Sequence, residues 1–171
     1  MSQTPTLAGK HAVLEAMADH PAIKALEASN IDSWNPQDFL DARFEFGELT
    51  LTVAASAICA ACATVQKAGY NFFEDMTAVD WFPASPRFQL SYHILSHAFK
   101  ERIRLRAMVD EPDSTIDSIT PVWAGANYYE REVFDLFGIR FAGHPDLRRI
   151  MMPDDWKGYP LRKDYPVEGY R

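Results

Sequence analysis

Two short runs constrain this chain more than anything else in it. Phe88, Leu90, Tyr92 and Ile94 alternate with Arg87, Gln89, Ser91 and His93. Ile103, Leu105, Ala107 and Val109 alternate with Arg102, Arg104, Arg106 and Met108. Side chains of a strand point to opposite faces in turn, so each run reads as a strand with one buried face. The turn expected near residues 97–100 joins them as an antiparallel hairpin. A hairpin of this kind needs further strands and a covering layer before its apolar face is dry.

Those strands are expected upstream. Leu49, Leu51 and Val53 alternate with Thr50 and Thr52, which predicts a strand over 48–53. Phe44 and Phe46 suggest an earlier, weaker strand, with Gly47-Glu48 breaking the register between them. Residues 71–82 are aromatic-rich and strand-like, and Phe82-Pro-Ala-Ser-Pro86 reads as a loop. Residues 55–68 are rich in alanine and predict a helix, with Ser56 as a possible cap and Gly69 as its stop. The N-terminal residues 1–20 are weakly helical around Val13, Leu14 and Met17. A second short helix is expected from Pro21 with Ile23 and Leu26, and a turn at Asn35-Pro36.

The last helix has a clear apolar stripe: Val122, Ala126, Tyr129, Val133 and Phe137. Thr120 is the expected cap, Pro121 the first helical residue, and Gly138 the stop. Glu130, Arg131, Glu132 and Asp135 fill the other side, where the Glu-Arg-Glu run reads as exposed pairing sites or partner contacts. The fold class is therefore α+β: a mainly antiparallel sheet with helices packed on one face. Residues 1–143 form a single domain, in which 1–42 are poorly defined. Residues 144–171 form an extended C-terminal arm.

That arm shows no regular period. Trp156, Tyr159, Tyr165 and Tyr170 set it apart from a disordered tail, and Pro153, Pro160 and Pro166 stiffen it. Aromatic burial alone does not offset the cost of ordering so long a segment. It needs backbone hydrogen bonds and contacts from Arg148, Arg149, Arg162 and Lys163, either against a partner or against the chain's own sheet.

Charge and motifs exclude several functions. Residues 1–85 hold four Lys/Arg and eleven Asp/Glu, while 86–171 hold thirteen of each, so the whole net charge of -7 sits in the first half. Nucleic acid is not an expected partner. The row Arg102, Arg104 and Arg106, with Arg87 across from it, reads as a solvated face or a docking patch for an acidic neighbour. Cys59 and Cys62 lie in the alanine-rich helix without further ligands, which favours core packing over a redox or metal pair. His144 sits in a Gly-His-Pro-Asp turn without a nucleophile beside it. No phosphate-binding or dinucleotide-binding glycine motif is present. No basic region precedes an apolar run at the N-terminus, and Val53 to Val65 is too short to span a bilayer.

The run Glu130-Arg-Glu-Val-Phe-Asp-Leu-Phe-Gly-Ile-Arg-Phe-Ala-Gly-His-Pro-Asp-Leu-Arg-Arg-Ile150 resembles one family closely, the C subunit of the proton-pumping NADH:quinone oxidoreductase, respiratory complex I. Pro153-Asp-Asp-Trp156 and Gly158-Tyr-Pro-Leu-Arg-Lys-Asp-Tyr165 continue the likeness. Residues 43–125 match in layout only. The resemblance implies a non-catalytic structural component of the hydrophilic arm, supporting electron transfer from NADH to quinone coupled to proton translocation. It implies docking on the large component that shapes the quinone site (the D subunit) beside iron-sulfur subunits. FMN and iron-sulfur clusters would be held by partners, with none in this chain. The location implied is peripheral, on the cytoplasmic side of a bacterial inner membrane, with membrane contact only through partners. The partner-binding residues expected are Glu130, Arg131, Arg148, Arg149, Trp156, Tyr159, Arg162, Lys163 and Tyr165. A related membrane-bound hydrogenase or dehydrogenase complex is the alternative, and a stand-alone thiol oxidoreductase using Cys59 and Cys62 is the reading from another class.

Overall fold

A computed structural model describes residues 7–21, 23–24 and 39–169. Its elements in chain order are β1 (Leu7–Ala8), α1 (Lys10–Ala16), β2 (Phe39–Glu45), β3 (Glu48–Val53), a 3-10 turn (Ala55–Ala57), α2 (Ile58–Lys67), β4 (Phe72–Asp80), β5 (Phe88–Ser96), β6 (Glu101–Val109), β7 (Thr115–Asp117), α3 (Ala126–Phe137) and β8 (Arg140–Ala142). Six strands form one sheet in the order β1-β2-β3-β6-β5-β4. Among the described residues its pairings are antiparallel except β3 with β6. That pair is parallel because the chain leaves β3 through α2, adds β4 and β5 at the far edge, and returns beside β3. β7 and β8 form a separate parallel pair.

The expected hairpin is present in the expected register. Leu90 faces Ala107, Tyr92 faces Leu105 and Ile94 faces Ile103. All six are buried in one core with Ile58, Cys62 and Val65 of α2 and Ala126, Val133 and Phe137 of α3. Burying each large side chain contributes about 1.5–3 kcal/mol. The other sheet face is polar. There Arg104 pairs with Glu48 and Arg102 with Glu74, so two of the three arginines that read as a solvated face or a docking patch are engaged within the chain.

Several local expectations change. β2 begins at Phe39, ahead of the expected strand at Phe44. Phe46 lies in the turn to β3, 97% exposed. Ser56 makes no cap bond. The last helix starts at Ala126, not at Pro121. Its expected cap, Thr120, shares its hydroxyl with Ser118 Oγ (2.7 Å), and residues 119–123 close as a turn through Val122 and Trp123 N–H on Ile119 C=O. Arg87 does not join the row on the polar face; it is buried at the β4–β5 end of the sheet. Pro21, Ile23 and Lys24 are helical and Ile23 is buried, whereas Leu26, the Asn35-Pro36 turn and Tyr170 lie outside the described residues.

Candidate functional site

After β8 the chain has no helix or strand among the described residues, yet it does not project. The segment from His144 to Asp164 lies along α3 as a strap. At its start His144 Nδ1 accepts the Asp146 N–H (3.0 Å), leaving Nε2–H to face the Asn127 carbonyl (3.2 Å) at the head of the helix. One turn on, Arg131 donates to the carbonyls of Arg148 (3.2 Å) and Arg149 (3.1 Å). At the foot of the helix, Leu161 N–H reaches Leu136 C=O (3.1 Å) and Arg162 Nε reaches Phe137 C=O (2.6 Å). These carbonyls have no partner inside a helix, and the cation suits the negative end of its dipole.

Asp135 is the hub. The sequence places it on the exposed side of α3, yet it is fully buried. Its Oδ2 accepts the successive N–H groups of Ile150 (3.0 Å), Met151 (2.7 Å) and Met152 (2.8 Å), and its Oδ1 accepts Arg149 Nη1 (2.6 Å). Burial alone would push this carboxyl up. The three N–H groups and the Arg149 guanidinium reverse the effect and hold it below the usual range. Arg149 also donates to Gly158 C=O (3.2 Å) and stacks over Tyr159, which Arg162 covers as well. Tyr159 presses on Gly138, where a Cβ would fall 2.5 Å from its ring. Gly138 is therefore required twice, for its φ of 74° and for this close approach.

A second anchor holds the end of the strap. Arg87 forks onto Asp80 (2.7 and 2.9 Å) and Asp164 (2.7 and 3.0 Å) and reaches Glu111 (2.9 Å). Asp80 also accepts the Lys163 N–H (2.8 Å), and Glu111 also accepts Arg162 (2.7 Å). The Arg87 guanidinium lies between the rings of Phe82 and Phe88. Burial works against the Asp80 charge, but Arg87 and the Lys163 and Phe82 N–H groups hold its pKa at about 2. Composition gives no hint of this pairing, since Asp80 and Asp164 are far apart in sequence. The available signal is charge in an apolar setting, Asp80 between Val79 and Trp81.

Glu130, read from the sequence as exposed, is fully buried as well. Its carboxylate accepts Ser118 Oγ–H (2.7 Å) and Ile119 N–H (2.7 Å), and His144 Nε2 lies 3.9 Å away. Burial raises its pKa to about 7, against those two bonds. It stabilises the turn before α3 and has no surface to offer a partner. Among the expected partner-binding residues, Arg131, Arg149, Tyr159 and Arg162 tie the strap to the body, and the Tyr165 hydroxyl bonds Lys157 C=O (3.4 Å). Arg148, Trp156 and Lys163 remain on the surface. Beside them stand Ile150, Met151 and Leu161, exposed large apolar side chains that no periodicity in the sequence marks. Cys62 is buried and Cys59 half-buried. Burial pushes both thiols up, with Asp117 and Glu130 adding to it at Cys59. Among the described residues no His, Cys, Asp and Glu side chains gather as a metal-ligand group. The site is built to hold a surface still, with chain atoms and ion pairs beneath and apolar side chains above.

Residues 51–171, which include the whole strap, match the model of a family described as the respiratory-chain NADH dehydrogenase 30 Kd subunit. The chain is 50% identical over 124 residues to the C subunit of the NADH-quinone oxidoreductase of Geotalea uraniireducens, covering 72% of this chain and 76% of that one. With the corresponding C subunit of Rhodobacter capsulatus it shares 43% over 146 residues, 84% of this chain and 73% of the other. Among solved structures, a trypsin-resistant fragment of Nqo5 superposes with a TM-score of 0.56 at 34% identity, over 59% of this chain and 83% of the fragment. A chain of the membrane-bound sulfane sulfur reductase, an archaeal respiratory membrane complex, gives a TM-score of 0.71 over 90% of this chain and 85% of that one. At 22% identity that likeness is one of fold.

Proposed function

The chain belongs to the family of the respiratory-chain NADH dehydrogenase 30 kDa subunit, and from that premise we propose that it is a non-catalytic structural component that docks through its strap on the quinone-site subunit. Membership makes it part of an NADH:quinone oxidoreductase complex whose other subunits are its partners. The observation that carries the docking role is the contrast within the strap. Its backbone is fixed by the buried carboxylates Asp135 and Asp80, while Ile150, Met151, Trp156 and Leu161 stay 38%, 62%, 39% and 50% exposed. A segment already ordered before association loses little further conformational entropy on docking, so less of the gain from burying its apolar side chains is offset.

In this reading the chain holds no redox group. FMN and iron-sulfur clusters reside in partner subunits, and the chain sits peripherally on the cytoplasmic side of the inner membrane. No helix among the described residues is long and apolar enough to cross a membrane. The thiol oxidoreductase alternative needs an accessible thiol of low pKa, and both cysteines are shifted the other way. The test is a gentle-detergent pull-down of the tagged full chain, wild type against Met151→Ala/Trp156→Ala, with co-purifying subunits identified and NADH:quinone activity assayed. Loss of the quinone-site subunit from the variant, with unchanged melting of the isolated chain, is expected. Full recovery of that subunit would sink the docking role.

A further inference from the structure

The end of the strap shares its anchor with a second ordered segment, the loop of residues 81–87 between β4 and β5. One carboxylate serves both. Asp80 Oδ2 accepts the Lys163 N–H of the strap (2.8 Å), and Asp80 Oδ1 accepts the Phe82 N–H of the loop (2.9 Å). Arg87 repeats the link, since its guanidinium lies against the Phe82 ring and forks onto Asp164 of the strap. The loop is also closed on itself. Trp81 N–H donates to Arg87 C=O and Ala84 N–H to Trp81 C=O (both 2.8 Å), while Asp110 accepts the Arg87 N–H (3.0 Å) and the Ser85 Oγ–H. The ion pairs of this corner are satisfied inside it: Arg87 takes Asp80, Asp164 and Glu111, and Arg162 takes Glu111. Its large outward-facing side chains are apolar. Trp81 and Phe82 are each 51% exposed and Leu161 is 50% exposed. The Trp81 indole has no hydrogen-bond or ring partner among the described residues. Two residue steps span at most about 7 Å, which keeps Leu161 close to the Lys163 N–H that Asp80 holds, and Trp81 directly follows Asp80. The loop is therefore continuous with the apolar surface of the strap.

We infer that Trp81 is an anchor of the strap's own docking surface, seated in an apolar pocket of the same neighbouring subunit that receives Met151, Trp156 and Leu161. The shared clamp commits loop and strap to one partner. A subunit in contact with Leu161 has Trp81 beside it, on a unit whose two segments are tied by the same carboxylate and the same guanidinium. The chemistry of the pocket follows from the corner's closed ion pairs: the arginines beneath the loop already hold their carboxylates, so the complement is an apolar hollow and not a charged one. Tryptophan is also the side chain best suited to the task. It is enriched among the few residues that carry an interface, and on a loop already fixed by hydrogen bonds little backbone freedom is left to lose on association. This inference rests on docking by the strap and extends that surface to a loop far from it in sequence.

The experiment places a photo-cross-linking residue in the full chain, in cells of the native host. Trp81→p-benzoylphenylalanine and Met151→p-benzoylphenylalanine chains are irradiated in the assembled complex, and the cross-linked subunits are identified by mass spectrometry. Both positions are expected to label the same subunit. A competition for entry into the complex between differently tagged full chains gives the magnitude: Trp81→Ala is expected to be under-represented about tenfold, as for loss of an interface anchor, and Trp81→Phe to stay within about threefold of parity. Labelling from position 151 but not from position 81, or equal representation of Trp81→Ala, overturns the inference while leaving docking by the strap intact. So does labelling from position 81 of a different subunit, of a second copy of this chain or of lipid. A fall of more than about 5 °C in the melting temperature of the isolated Trp81→Ala chain has the same consequence, since it would make Trp81 a residue of the chain's own fold. Absence of any labelled subunit from position 151 would overturn docking by the strap itself and this inference with it.

Discussion

Two carboxylates on the same helix, five residues apart, are both fully buried and respond in opposite ways. Near the start of α3, Glu130 has two neutral donors and no full positive charge in contact, and its pKa rises to about 7. Near the end, Asp135 has three backbone N–H groups and a guanidinium, and its pKa falls. Burial is common to both, so burial does not decide the charge. The number of donors and the presence of a cation do. The structural consequence follows the same line. Glu130 braces a local turn, eleven or twelve residues away in sequence, whereas Asp135 holds a chain segment that has passed through β8 and returned.

The largest effect is expected at Asp135. Replacing it with Ala leaves Arg149 and three N–H groups without their acceptor. The expected cost is about 3–5 kcal/mol, measured by urea unfolding, with faster proteolysis between residues 148 and 162. A loss below 1 kcal/mol would show that the strap is held mainly by the Arg87 anchor. Gly138→Ala comes next. It forces a left-handed alanine into the Tyr159 ring, at an expected cost of about 2 kcal/mol. Because Tyr159 carries Arg149, the Asp135 carboxyl should move back up towards its ordinary range, which carboxyl NMR titration would detect. An unmoved carboxyl would mean that the backbone N–H groups alone set its charge.

The smallest effect is expected at Glu130. Its folded pKa lies above its unfolded one, so the folded chain binds the extra proton between about 4.5 and about 7. Stability therefore falls as pH rises through that window and is flat above it. Asp135 and Asp80 have the opposite sign: their contribution is present above the unfolded carboxyl value and is lost as pH falls towards their folded values, about 2 for Asp80. Glu130→Gln should remove the upper slope, leave the acid limb, and change stability at pH 8 by no more than about 1 kcal/mol. Chemical denaturation across pH 3–8 checks this, and a slope that survives the substitution would assign the titration to another group.

Much of the sheet was legible because a strand writes its burial into neighbouring residues. The alternation at 88–94 and 103–109 named the core face of β5 and β6 without error, and Gly138 marked the end of α3. The start of α3 was not legible, because Glu130, a residue inside the helix, takes up the hydroxyl and N–H of the preceding turn. The arm was legible as irregular and aromatic, but its course was not. Its basic residues suit a carboxylate on any surface, and nothing in the sequence says that Arg149 takes Asp135 and Arg162 takes Glu111 of the same chain, or that Asp80 accepts the Lys163 backbone N–H. Local periodicity is a property of residues two to four apart, so the sequence by itself determined β3 to β6, the hairpin and the apolar stripe of the last helix, but not β1, β7 or β8. Which charges are buried, and in which state, depends on contacts as far apart in sequence as Asp80 and Lys163, and only the tertiary structure brings those donors together.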